Sequence, residues 1–237
     1  MKNLVLYLTI NYPTRAVFFE MLDVVAAFGI GYVEIGIPVE EPHLDGAVVR
    51  QTQEKIFPDL TKAEIVSVLA EIRSRYSFNV ILMTYQSGVD CFQLDQLSQE
   101  LYDAILCVDQ TFDGKFAGKL VHTFTTAMGE KEVETQLAQS SQFIYLVSGK
   151  GKTGEFTQLP TDYLKLLPYV KRRSELPAFV GFGVKTPDDV AEILANGADG
   201  AIIGSEFIKQ FNEGGITGIK EYLSELQPIF ENGLASK

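Results

Sequence analysis

Histidine, cysteine and tryptophan are scarce in this chain: its 237 residues include two histidines, two cysteines and no tryptophan. With only His43 and His122, a histidine-rich zinc or iron site is excluded, and no metal is expected. Cys91 and Cys107 make neither a disulfide framework nor a ligand cluster. Positive charge is also short. Twenty Lys and Arg against 31 Asp and Glu leave a net charge of −11, which argues against nucleic acid as a partner. No apolar run reaches the ~18 residues of a membrane span. The opening MKNLVLYLTI passes straight into strand-like sequence without a cleavage site, so a soluble, cytoplasmic protein is expected. What is abundant is core material, with 46% hydrophobic and 11% aromatic residues, too much for disorder.

Short apolar runs alternate with amphipathic stretches along the chain. Eight strands are expected, at Asn3–Thr9, Gly31–Gly36, Asn79–Thr84, Ala104–Val108, Leu120–Thr125, Gln142–Val147, Ala178–Gly181 and Asp199–Ile203. Between them, Thr14 suits a helix cap before the buried stripe Phe18, Met21, Leu22 and Val25. Thr61 with Glu64 reads as a capping box. Thr186, Pro187, Asp188 and Asp189 open a helix that Gly197 closes. Eight such units in this length fit one α/β domain, a (β/α)8 TIM barrel over residues 1–237, a fold typically of ~250 residues. A doubly wound open sheet should carry glycines after its first strand, and Thr9-Ile10-Asn11-Tyr12-Pro13 has none. The βα unit between Tyr85 and Ala104 is short.

In such a barrel the chemistry sits at C-terminal strand ends. Alternation along Tyr32-Val33-Glu34-Ile35-Gly36-Ile37 sends the β-branched residues toward the helices and Glu34 into the barrel. A carboxyl there is costly to ionise, which suits it to trading a proton. The competing reading is a structural pair with a buried cation, although no nearby strand end offers one. Asp45-Gly46 in the next loop reads locally as a turn, and a functional Asp45 requires that loop to fold over the mouth. His43, beside glutamates, reads as a solvated residue. Three glycine sites follow the last strands: Gly151-Lys152-Thr153-Gly154, Gly181-Phe182-Gly183 and Gly204-Ser205. Ser205 begins what reads as a short helix, whose free N–H groups would bind a phosphate. Such backbone donors would let a strongly acidic protein hold an anion.

The blocks YVEIGIPVEEPHLDG, FIYLVSGKGKTGE and VGFGVKTPDDV through ADGAIIGSEFIK resemble the tryptophan synthase α family patterns ELGIPFSDPxADG, YLLSRxGVTG and GFGI…GAAGAIxGSAIVK, in the same order across nearly the whole chain. The resemblance implies a retro-aldol lyase that cleaves indole-3-glycerol phosphate to indole and glyceraldehyde 3-phosphate, without metal or organic cofactor of its own. It implies Glu34 as the acid/base at indole C3 and Asp45 as the carboxylate facing the indole nitrogen. Gly154, Gly183, Gly204 and Ser205 would hold the phosphate, with Tyr7, Thr9, Tyr145, Thr153, Phe182 and Ile202 lining the substrate. It also implies a PLP-bearing tryptophan synthase β subunit as partner, in an α2β2 heterotetramer.

The sequence departs from the family at Gln86 and Ser87, at Asp109-Gln110-Thr111, and in a shorter loop after the sixth strand with Lys150 and Lys152 in place of an arginine. There is also no room for the family's extra helix before the first strand. The alternatives are a free-standing lyase that releases indole and a non-catalytic subunit that binds a β-type partner. An isomerase of aminoaldose phosphates is a third, and an ELGIP-like block is not expected there.

Overall fold

In a computed structural model the described residues are 1–112, 114–149 and 159–234, with side chains described to residue 231. Eight parallel strands appear where the alternating runs lie: β1 Leu4–Thr9, β2 Tyr32–Gly36, β3 Asn79–Thr84, β4 Ala104–Cys107, β5 Thr123–Phe124, β6 Ile144–Val147, β7 Ala178–Gly181 and β8 Gly200–Ile203. They pair in the order β4-β3-β2-β1-β8-β7-β6-β5. The ring closes through a bridge between Ile105 and Leu120, where Ile105 N donates to Lys119 O and Val121 N to Ile105 O, both at 2.9 Å. This is the expected barrel.

Among the described residues, eight α-helices lie outside: α1 Arg15–Ala27, α2 Ala47–Ile56, α3 Lys62–Arg75, α4 Gln86–Phe92, α5 Glu130–Gln139, α6 Tyr163–Lys171, α7 Pro187–Ala195 and α8 Ser205–Leu234. No helix among the described residues is long and apolar enough to cross a membrane. Thr14 caps α1 through the Val17 N–H. Thr186 and Asp189 complete a reciprocal box at α7, and Gly197, at φ 95°, follows its end.

Three local expectations change. Thr61 accepts from the Glu64 N–H, but the Glu64 carboxylate does not reach back. It takes Asn11 and Arg15 instead, at 3.0 and 2.9 Å, because a charged donor outbids a neutral backbone one. The fifth strand has two ladder residues rather than six. The chain reaches it through Phe116 and Ala117, both at positive φ, and only Leu120 bridges to β4 on that approach. The helix after β8 is not short. It runs on to Leu234 with a break at Gly215, at φ 60°.

Strand alternation sorts the core into two shells. Leu6, Leu8, Val33, Ile35, Val80 and Leu82 face the helices. Val5, Ile81, Leu106, Phe143, Phe179 and Ile202 fill the barrel interior. Tyr32 packs edge-on against Phe143 and Phe179, at 5.4 Å from each, and plugs the lower barrel with aromatic rings. Burying each such ring contributes ~1.5–3 kcal/mol. Two residues further along β2 and β6, on the same faces, stand Glu34 and Tyr145. The packed floor therefore presents those side chains to the mouth.

Candidate active site

Glu34 lies opposite Tyr7 in the β1–β2 register and points inward, 1% exposed. Its Oε1 is buried and has no hydrogen-bond partner. Burial alone pushes its pKa up to about 8, so the carboxyl is mostly protonated at neutral pH. The structural-pair reading fails on geometry: no cation lines the cleft that Glu34 enters, among the described residues.

The β2–α2 loop folds back over this carboxyl. Asp45 is 6% exposed, and its Oδ2 accepts from the Tyr85 hydroxyl and from Gln53 Nε2, each at 2.8 Å. The Tyr85 oxygen in turn accepts the Leu44 N–H at 3.0 Å, which pins the loop to the end of β3. Burial raises the Asp45 pKa, opposed by the hydrogen bonds from Tyr85 and Gln53 and by the charges of Arg50 and His43. The Asp-Gly pair is thus more than a turn. His43 is exposed, as expected, with its ring 5.2 Å from that of Tyr85.

A small cleft of about 30 Å3 joins Glu34, Asp45, Tyr7, Tyr145, Phe182 and Ile202 to Gly183, Gly204 and Ser205. A larger cavity of about 360 Å3 shares Asp45, Met83, Tyr145 and Phe182 with it, and reaches Tyr85, Leu106, Val108 and Val147. Such a slot suits a flat apolar ring, with one polar edge near Asp45. At the far end of the cleft, Ser205 opens α8, and the first N–H groups of a helix have no partner within it. Phe182 and Gly183 are both at positive φ, 71° and 80°, so the turn after β7 swings toward that same corner. The Ser148 hydroxyl holds this turn by donating to the Phe182 carbonyl.

Two glycines make room for the two tyrosines. A Cβ on Gly36 would lie 2.1 Å from the Tyr7 oxygen, and one on Gly181 would lie 2.5 Å from the Tyr145 oxygen. Burial is the main reason that both phenols are held neutral, and the nearby Glu34 and Asp45 carboxyls push the same way.

Nine of the twelve expected site residues therefore share one cleft. Thr9 does not line it. Its hydroxyl is taken by Tyr7, at 3.2 Å, and by Thr52, at 2.6 Å. Thr153 and Gly154 lie outside the described residues. Tyr85, Gln53, Thr52 and Ser148 were not anticipated. Tyr85 had a visible signal, an aromatic hydroxyl just past the C-terminal end of a barrel strand. The other three gain their roles from contacts between distant segments.

The family profile for the tryptophan synthase alpha chain matches residues 1–109 and 115–232. The tryptophan synthase alpha chain of Carboxydothermus hydrogenoformans is 29% identical over 88% of this chain and 83% of its own length. That of Archaeoglobus fulgidus is 28% identical over 90% and 91%. The structure of the tryptophan synthase complex from Pyrococcus furiosus superposes with a TM-score of 0.80 at 24% identity, covering 94% of this chain and 97% of that one. The profile spans nearly the whole barrel, including the strands that carry Glu34 and the glycine corner, so this chain belongs to the tryptophan synthase alpha chain family, a family of lyases.

Proposed function

We propose that this single-domain, cytoplasmic protein cleaves the C–C bond of indole-3-glycerol phosphate, releasing indole and glyceraldehyde 3-phosphate. Cleavage requires indole to become a leaving group, so its C3 must accept a proton while positive charge at the ring nitrogen is balanced. Glu34 is the acid that delivers that proton. In a cleft that no cation lines among the described residues, its carboxyl still holds a proton at neutral pH, and its unpartnered oxygen has no competing bond. Once ionised, the same carboxylate takes the proton from the C3′ hydroxyl as the aldehyde forms. Asp45, fixed by Tyr85 and Gln53, faces the indole N–H and balances the charge on the ring. The phosphate sits at Gly183, Gly204 and Ser205, with Thr153 and Gly154 completing the grip, and Tyr7, Thr9, Tyr145, Phe182 and Ile202 shape the substrate's bed.

The single observation that carries the reading is the unpaired buried carboxyl in one cleft with the start of a helix. The reaction takes no metal and no organic cofactor on this chain. PLP belongs to the β subunit, with which this protein forms the α2β2 enzyme. The test is indole release from indole-3-glycerol phosphate by the purified chain, alone and with a tryptophan synthase β subunit. Release that rises on adding the β subunit supports the reading. Absence of release in both conditions rejects it, and equal high turnover in both rejects the partnership.

A further inference from the structure

Three hydroxyls run from the cleft to the backbone of α2, and their hydrogen bonds can be polarised in only one way. Thr52 Oγ1 lies 2.7 Å from the Val49 carbonyl oxygen, which can only accept, so Thr52 spends its single proton there. Thr9 Oγ1 lies 2.6 Å from Thr52 Oγ1 and must therefore donate to it. Tyr7 Oη lies 3.2 Å from Thr9 Oγ1, whose proton is already used, and so Tyr7 donates in turn. All three side chains are buried, and such a chain strengthens each of its own bonds. The phenolic proton of Tyr7 is thus directed away from the cleft that its ring lines with Glu34.

We propose that Tyr7, oriented by Thr9 and Thr52, is a positioning residue that offers the cleft an acceptor and no donor, and so keeps Glu34 in its proton-donating form. Among the described residues, the titratable groups that share the cleft with Glu34 are Tyr7 from β1, Tyr145 from β6 and Asp45 from the loop after β2, while Met83, Phe182 and Ile202 line it as well. Tyr7 is the member of this set whose proton has a forced direction. Tyr7 and Glu34 feel each other's charge across the cleft, so an O–H dipole turned inward would favour the Glu34 carboxylate, and one turned away favours the acid. The same oxygen dipole, negative toward the cleft, suits a substrate ring that turns positive in the transition state. This inference rests on the proposed lyase reading for its purpose, but not for its test.

Thr52 lies outside the cleft, so substituting it alters the relay without touching substrate. In Thr52→Val, Thr9 loses its acceptor, the chain can reverse, and the Tyr7 proton becomes free to turn inward. Carboxyl 13C labelling of Glu and Asp, read by NMR against pH, follows Glu34 with no turnover required. We expect the Glu34 midpoint to fall by about one pH unit in Thr52→Val. It should remain at the wild-type value in Thr52→Ser, which keeps the hydroxyl. In a Tyr7→Phe background, Thr52→Val should produce no further shift. Should Thr52→Val not fold, Thr9→Val interrupts the same relay and carries the same expectation. An unmoved midpoint, a shift confined to Asp45, or an equal shift with and without the Tyr7 hydroxyl overturns the proposal. Absence of indole release by the parent protein, with and without the β subunit, would reject the proposed function, while the expected titrations would leave the relay standing.

Discussion

The outer helices and the barrel mouth treat acidic residues in opposite ways. On the face shared by α1 and α3, Arg15 bridges Glu64 and Glu71 at 2.9 and 2.8 Å, and Arg75 bridges Glu71 and Asp23, each at 2.9 Å. Each of these three carboxylates has a cation, and the Glu71 pKa is held down by Arg15 and Arg75. In the mouth, no cation among the described residues lines the cleft of Glu34, and burial drives its pKa up. The outer acids are interchangeable parts of a solvated network. The inner one is buried, unpartnered and held in its acid form. Location, more than residue type, decides which acids can move protons here.

The contrast should be largest in the pH dependence of stability. Glu34 ionises near 4.5 unfolded and near 8 in the folded protein, so its contribution is full below the lower value and lost as pH rises through the upper one. Glu34→Gln should therefore gain a few kcal/mol over the parent in mildly alkaline solution and little in acid, as read by urea denaturation across pH. Parallel curves for the two proteins would break the comparison at its root. Gly36→Ala comes next. Its Cβ would collide with the Tyr7 hydroxyl, and overpacking of this kind costs about 1–3 kcal/mol. Unchanged stability by chemical denaturation would mean that the ring has room to move.

Gly204→Asp places a carboxylate at the glycine corner, where an added Cβ has room and meets only the Tyr7 Cβ at 3.7 Å. Glyceraldehyde 3-phosphate should then bind more weakly by about tenfold or more, measured calorimetrically. Equal affinity would move the phosphate elsewhere. The smallest effect belongs to the outer face. Arg15→Ala should cost less than about 1 kcal/mol, since water screens its two bridges, and indole release should not change. A substantial loss of turnover would show that the two regions are coupled.

Much of this was legible in the sequence because barrel strands alternate with a period of two. That period put Val33 and Ile35 under the helices and Glu34 inside, and the structure agrees. The caps at Thr14 and Thr186 followed from local chemistry in the same way. Asp45 is the instructive failure of local reading. An Asp-Gly pair looks like a turn wherever it occurs, and what distinguishes this one is a tyrosine 40 residues away. The Thr9–Thr52 bond spans 43 residues, so no window of sequence contains the relay. The Glu64 capping box failed for a related reason, since a distant arginine claimed its carboxylate.

The central claim is that Glu34 supplies the reaction's proton and not the substrate's affinity. Its most direct test is Glu34→Gln, with substrate binding and indole release measured on one preparation at neutral pH. Loss of a general acid should lower release by about 10²–10⁴-fold while indole-3-glycerol phosphate still binds with near-normal affinity. Release retained at the parent rate would contradict the account, and so would affinity lost in step with activity.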